Sequence, residues 1–322
     1  MNKHRFSYRW TLKDANFTKD KGKVFSCFAC GGGSTMGYKL AGFDVIGCNE
    51  IDPKMIEAYK ANHNPKYAFL EPIQTFKMRE DLPQELYQLD ILDGSPPCSS
   101  FSMAGNREKD WGKDKVFREG QAMQVLDTLF FDFIDLAGYY CQHWLLDASK
   151  MGVPQRRERV FFIALRKDLA KTFLKQMNLF DILPEINLEF NEPDINFIEI
   201  SEDQNNTEDI NGVIGKLWSE MKTKGIYGGL NNVHPKGSFF GEMIHDPEKP
   251  LGTIRSQGKD YHFKYKRRLS SIEFCNGGSY PLDYNFLNIK PYYVIGMSVP
   301  PVMTANIATE IYNQWLSKLA RS

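Results

Sequence analysis

The segment Gly94-Ser95-Pro96-Pro97-Cys98-Ser99-Ser100-Phe101-Ser102 has the residue types most able to do chemistry. It follows an apolar run, Leu89–Asp93, that reads as a strand. Pro96 and Pro97 stiffen the chain and hold the next residue at the carboxyl edge of a sheet, where α/β active sites lie. A cysteine at that point, Cys98, suits attack on carbon when nearby positive charge or a helix N-terminus favours its thiolate. The competing reading is a small buried thiol behind a rigid turn. A second group lies upstream. The apolar run Lys23–Cys30 ends in Gly31-Gly32-Gly33, a pattern for a strand turning into a helix with backbone bare enough for a ligand to approach. Glu50 closes the next apolar run, Phe43–Asn49, where a carboxylate can accept hydrogen bonds from ribose hydroxyls. These features leave NAD, FAD, S-adenosylmethionine or a plain flexible turn open.

A third group is Gln155-Arg156-Arg157-Glu158-Arg159-Val160. Arg157 and Arg159 are two apart, hence on one face of a strand. Without context such a run is a solvated hairpin. Cys27 and Cys30 form a C-x-x-C, but no second pair exists to complete a structural zinc site. Their apolar flanks point to a buried strand end, and no metal site is expected.

Alternating elements must position these groups. Met36–Ala41 continues the first helix, Lys54–Asn62 is helical, and Tyr67–Leu70 reads as a third strand. Arg118–Leu136 is strongly helical in pattern. Tyr140–Leu146 and Arg159–Leu165 read as strands joined by the polar turn Pro154–Glu158. Thr304–Leu319 reads as a closing helix after Pro300-Pro301. The order implies an α/β, doubly wound, mostly parallel sheet. From about Asp168 the periodicity weakens, which marks a second, smaller and irregular domain.

Charge refines this picture. The 322 residues carry 40 Lys/Arg and 40 Asp/Glu, which argues against a general coat for nucleic acid and makes any basic surface local. Gln176–Gly215 has ten acids and no Lys or Arg, whereas Lys216–Arg268 has eleven Lys/Arg against five acids. That split fits either two solvated surfaces or a phosphate-facing basic side beside an acidic lobe. Residues 1–23, with seven Lys/Arg and two acids, read as an arm or tag-like leader. No stretch resembles a membrane span or signal peptide, so a cytoplasmic protein without a membrane partner is expected.

Taken together, the motifs resemble the cytosine-5 DNA methyltransferase family over most of the chain. Phe25-Ser26-Cys27-Phe28-Ala29-Cys30-Gly31-Gly32-Gly33 is similar to its cofactor loop. Asn49-Glu50-Ile51-Asp52 resembles the second motif, and Pro96-Pro97-Cys98 the nucleophile motif. Gln155–Val160 resembles the basic strand motif. Arg267-Arg268-Leu269-Ser270-Ser271-Ile272-Glu273 resembles the motif that supports the recognition domain. Gly296-Met297-Ser298-Val299-Pro300 resembles the last motif. The resemblance implies a Rossmann-like S-adenosylmethionine-dependent fold with a small target-recognition domain. It implies a cofactor-binding and catalytic domain at 1–167, target recognition at 168–264, and a return to the catalytic domain at 265–322. Pro250-Leu251-Gly252-Thr253-Ile254-Arg255 resembles the re-entry into the common core. The resemblance assigns catalysis to Cys98, Arg157 and Arg159, the arginines holding a flipped nucleotide. It assigns cofactor contacts to Phe28, Ala29, Gly31, Gly33, Glu50, Ile51, Pro96 and Ser298. It implies methyl transfer to carbon 5 of a cytosine flipped out of double-stranded DNA, by a monomer of the restriction-modification or phage type.

The sequence departs from the family twice. Cys30 stands where the cofactor loop has its first glycine. More seriously, the family strand that ends in Glu-Asn-Val, with its following helix, has no counterpart: Ala137-Gly138 runs straight into Tyr139-Tyr140. A strand, a helix and their loops take roughly 25–40 residues. In the family that glutamate assists thiolate addition by contacting the cytosine ring nitrogen and amine. Its loss points to a second reading, a catalytically impaired relative that binds DNA or cofactor without efficient turnover. Methylation of transfer RNA by the same chemistry lacks its characteristic Cys-Phe-Thr here. A hydride-transfer enzyme would give Cys98 no role.

Overall fold

The computed structural model describes residues 3–96, 138–176, 182–203, 210–239 and 241–319, with the backbone of 114–115 and 124–125. The chain divides into two compact units. One comprises Asn16–Leu145, Val160–Leu188 and Ile307–Ser322; the other comprises Met1–Ala15, Leu146–Arg159 and Glu189–Asn306.

The unit that begins at Asn16 is built on four parallel strands, β1 (Lys23–Cys27), β2 (Asp44–Glu50), β3 (Tyr67–Leu70) and β4 (Ile91–Gly94), in the order β3-β2-β1-β4. The chain winds outward from β1 to β3 and then crosses to the other side of β1. The crevice beyond the carboxyl ends of β1 and β4 is therefore the topological switch point, where ligands bind in open parallel sheets. Helix α1 (Gly33–Leu40) follows β1 and α2 (Pro53–His63) follows β2. Helix α2 starts where it does because the Asp52 carboxylate accepts the N–H groups of Lys54 and Met55 and Pro53 presets the first turn. It stops at Asn64, which takes a left-handed conformation.

Both faces of the sheet are covered, as a doubly wound sheet requires. On one face Val24, Phe43 and Val45 pack with Tyr38 of α1 and with Ala308 of the last helix, α6 (Pro301–Gln314). On the other, Phe25 and Cys27 pack with Ile73 and Phe76 of the short helix α3 (Ile73–Phe76). The Phe25 and Phe76 rings stack at 5.3 Å. Cys27 is thus a buried residue at a strand end, as its apolar flanks suggested.

Among the described residues the sheet ends at β4. Among the described residues β4 has a ladder partner on one side only, and Leu92 on it is 56% exposed. Two later strands, here β7 (Tyr139–Asp147) and β8 (Glu158–Arg166), form a separate two-stranded sheet. It is closed at one end by the Ala148 N–H donating to Arg157 O and at the other by the Lys167 N–H donating to Gly138 O. Leu145 and Phe162 on these strands are 66% and 50% exposed. Between β4 and β7 in sequence, β5 (Asp114–Lys115) and β6 (Gln124–Val125) pair antiparallel. Gln124–Val125 falls inside the helix expected over Arg118–Leu136. Helix propensities of a few tenths of a kcal/mol per residue yield readily to context. The rest of that expected helix lies outside the described residues.

The other unit centres on α4 (Gly212–Thr223), which buries Leu217, Trp218 and Met221 against Leu230, Ile244 and Tyr261. The last two come from a small sheet of β9 (Gly228–Gly229), β10 (Met243–Ile244) and β11 (Asp260–Tyr261). Helix α5 (Ser271–Gly277) is held by a capping box between Ser270 and Glu273. Arg267 grips the same Glu273 with two hydrogen bonds of 2.7 and 2.9 Å, both side chains fully buried. The expected leader is ordered instead. The Trp10 indole N–H donates to Ser279 O at 2.9 Å, and the N–H groups of Leu12 and Lys13 donate to the Asp283 carboxylate. Charge counting overlooked this segment because an indole and backbone donors anchor it. Among the described residues no helix is long and apolar enough to cross a membrane.

Candidate functional site

The loop after β1 is shaped by backbone geometry that few residues adopt. Phe28, Cys30 and Gly32 all have positive φ, at 51°, 49° and 83°. Gly32 caps α1 in the left-handed region, where glycine carries no steric cost. Two non-glycine residues held there signal a loop fixed by its surroundings. Cys30, the departure from the family glycine, adopts the left-handed conformation all the same. Its thiol meets the Met55 sulfur at 3.8 Å.

Glu50, at the end of β2, ties this loop down. Its Oε2 accepts the Cys30 N–H at 2.6 Å, and its Oε1 accepts the N–H groups of Ile51 and Asp52 at 2.8 and 3.0 Å. Burial pushes the Glu50 carboxyl upward, and the N–H groups of Asp52, Cys30 and Ile51 pull it back. A carboxylate offers about four acceptor positions. Three backbone donors leave capacity on Oε2 for a hydroxyl.

Asp93, near the end of β4, was missed from sequence. Its Oδ2 accepts from the hydroxyls of Ser26 on β1 and Ser34 on α1, at 2.8 and 2.9 Å, and its Oδ1 from Tyr38 at 3.3 Å. Burial raises the carboxyl above the usual range, against the three hydroxyl donors. This anchor fixes the strand end from which Pro96 and Cys98 follow. An acid inside the apolar run Ile91-Leu92-Asp93-Gly94 was the available signal. Ser95 continues the register, its N–H reaching Cys27 O at 3.4 Å. Phe28, Ala29, Gly31, Gly33, Glu50, Ile51 and Pro96 therefore all belong to the carboxyl edge of one sheet. Cys98, the expected nucleophile, lies outside the described residues.

Arg157 and Arg159 part company. Arg157 is 2% exposed and donates to the carbonyls of Ile254, Gly296 and Ser298 at 2.9–3.0 Å. A guanidinium solvated by carbonyls of that kind is a brace inside its unit. Arg159 is half-buried, with one nitrogen donating to the neighbouring Glu158 O. Ser298 is buried, its hydroxyl donating to Val294 O and accepting from Tyr280. Gln155 helps hold the same region, its amide spanning Gly277 O and the Ile254 N–H.

The family model for C-5 cytosine-specific DNA methylases matches residues 22–136 and 115–313. The chain is 34% identical over 170 residues to the Type II methyltransferase M.FnuDI of Fusobacterium nucleatum, covering 46% of this chain and 48% of that protein. It is 26% identical over 341 residues to M.MthTI of Methanothermobacter thermautotrophicus, covering 89% and 96%. The chain spans about half the length of the first curated relatives it matches. Among solved structures, a DNA modification methyltransferase encoded within an E. coli prophage superposes with a TM-score of 0.58 at 20% identity, covering 91% of this chain and 99% of that one. A Spodoptera frugiperda DNMT2 variant gives 0.56 at 16%, covering 92% and 99%. These likenesses agree with the Rossmann-like methyltransferase architecture read from the sheet order. With the family model spanning nearly the whole molecule, this chain belongs to the C-5 cytosine-specific DNA methylase family.

Proposed function

We propose that the protein binds S-adenosylmethionine at the β1–α1 loop and Glu50, and transfers its methyl group to carbon 5 of a cytosine flipped out of double-stranded DNA. The observation that carries this reading is the Glu50 carboxylate. It is fixed by three backbone N–H groups beside a left-handed glycine loop, at the switch point of a parallel sheet. These residues fit a nucleoside. A spare acceptor on Glu50 meets ribose hydroxyls, and the bare backbone at Gly31–Gly33 admits close approach. Bound there, S-adenosylmethionine supplies the methyl group.

The chain's own residues do the rest. The Cys98 thiolate adds to carbon 6 of cytosine, which makes carbon 5 electron-rich enough to accept the methyl group. Loss of the carbon 5 proton then expels the thiolate. The base must leave the duplex for this addition. Arg159 faces the nucleotide, and residues 168–264 choose the DNA sequence. The names of the Type II relatives support a restriction-modification role. The protein works on DNA in the cytoplasm as a monomer.

A second reading has its own support. The missing Glu-Asn-Val segment and the single ladder partner of β4 among the described residues favour a protein that binds cofactor or DNA but turns over poorly. Trapping with duplex DNA carrying 5-fluorocytosine tests both. Covalent capture lost in Cys98→Ser supports the nucleophile. Absence of capture with intact cofactor binding supports the impaired relative.

A further inference from the structure

The β1–α1 loop rests on the far end of α2, and this contact is independent of Glu50. His63, in the last turn of α2, is buried, and its Nε2 lies 3.4 Å from Gly31 O. Its ring meets the Tyr59 ring edge-on at 4.7 Å, and the Tyr59 hydroxyl pairs with Thr35 of α1 at 2.9 Å. The backbone of His63 is itself held, its carbonyl accepting from Lys39 Nζ of α1 at 3.2 Å. A methyl group at Gly32 would lie 2.6 Å from His63 Cδ2, closer still to Nε2, and 3.2 Å from Tyr59. His63 thus fills the space that any side chain at position 32 would need. It also offers one N–H to the carbonyl next door.

We infer that His63, seated on Tyr59, is a positioning residue that sets the conformation of the Gly31–Gly32 turn and thereby tunes the affinity of the loop for S-adenosylmethionine. The inference rests on the cofactor reading above and deepens it. Three consecutive alternate positions, 28, 30 and 32, have positive φ. Such a loop does not hold its shape unaided. Glu50 restrains it through the Cys30 N–H, on the side of β2. His63 restrains it from beneath, on the side of α2. Preorganisation of this kind raises affinity by removing the ordering cost from the binding step. The ring is uncharged at neutral pH, because burial and the nearby Lys39 lower it to about 3. The shelf therefore holds the loop by shape and one hydrogen bond, without a pH switch at neutral pH.

The test combines four variants of the full chain with two readouts. Calorimetry with S-adenosylhomocysteine gives affinity, and amide exchange of residues 30–33 without ligand gives the conformation of the turn. His63→Gln, which can still present an N–H, should stay close to the parent in both. His63→Leu should weaken binding by about three- to tenfold, the scale of one lost hydrogen bond, and speed exchange in the turn. Gly32→Ala should lose binding, and His63→Ala in that background should recover part of it, because the two side chains compete for one space. If His63 only stabilised the fold, its removal would lower the melting temperature and give no such recovery. If the parent binds S-adenosylhomocysteine but His63→Leu binds equally well with unchanged exchange, the inference fails. If the parent does not bind, the cofactor reading fails, and the exchange data still decide whether His63 sets the turn.

Discussion

The Glu50 carboxylate accepts the backbone N–H of Cys30 at 2.6 Å, across twenty residues of sequence and from one parallel strand to the loop that follows its neighbour. Glu50 therefore shapes the loop that the proposed function assigns to the cofactor. Glu50→Ala removes three backbone contacts and the acceptor for a ribose hydroxyl. Binding of S-adenosylhomocysteine should weaken by about 1–3 kcal/mol, the range for hydrogen bonds to a charged group. Glu50→Gln should lose less, because its amide oxygen can still accept. Equal affinity of parent and Glu50→Ala by calorimetry would rule out this pocket.

The arginines of the basic motif should separate by readout. Removing the Arg157 guanidinium leaves three buried carbonyls short of a donor. Arg157→Gln should cost about 3 kcal/mol of folding stability, as broken buried charged networks do. Urea unfolding measures this. Arg159→Gln should leave the unfolding midpoint in place. It should weaken DNA binding and reduce the salt slope by about one, as expected when one phosphate contact is lost. An unstable Arg159→Gln beside a stable Arg157→Gln would invert the assignment.

Folding stability should decline in mild acid. His63 and His262 are held down to about 3 and about 4, in both cases chiefly by burial. Glu273 opposes the shift of His262, while Arg267 and Lys264 reinforce it. In the unfolded chain a histidine titrates near 6.5. Above that pH neither state is protonated and nothing is lost. As pH falls from 6.5 toward the folded values, the unfolded chain binds protons that the fold refuses, so stability drops. At pH 5 each histidine should cost on the order of 2 kcal/mol. Glu50 and Asp93, whose carboxyls burial raises, oppose this slope. The decisive measurement is thus the change in slope. Denaturant unfolding between pH 7.5 and 5 should flatten in a His63→Gln, His262→Gln double variant.

Restoring a strand ending in Glu-Asn-Val and its helix between Gly138 and Tyr139 should raise methyl transfer by about 10²–10⁴-fold, the usual worth of general acid–base assistance. The same insertion should protect the amides of β4 from exchange, since the strand would gain a second ladder partner. Near-normal methylation by the unaltered chain would show that another group assists Cys98.

Much of this was legible in the residues. The apolar runs at Lys23–Cys30 and Phe43–Asn49, the glycines between them and the Asp52-Pro53 start of α2 gave strands and helices within a few residues of their observed bounds. Local preference and periodicity are properties of neighbours in sequence, so a sequence reports them well. The absence of Glu-Asn-Val after Gly138 was equally plain.

Tertiary structure decided what neighbours in sequence cannot. Arg157 and Arg159 share a motif and a charge, yet one is enclosed by carbonyls from residues 254, 296 and 298 while the other stays half-open. The leader's Trp10 and the acid Asp93 found partners far along the chain, at Ser279 and at Ser26. His63 gained its place under Gly32 only when α2 folded back on the loop. The sequence by itself determined the first strands and helices of the sheet, the order of the motifs and the absence of Glu-Asn-Val, because these follow from composition and spacing. Which polar groups are desolvated, and by whom, depends on packing between distant segments, and that is settled only when the chain closes on itself.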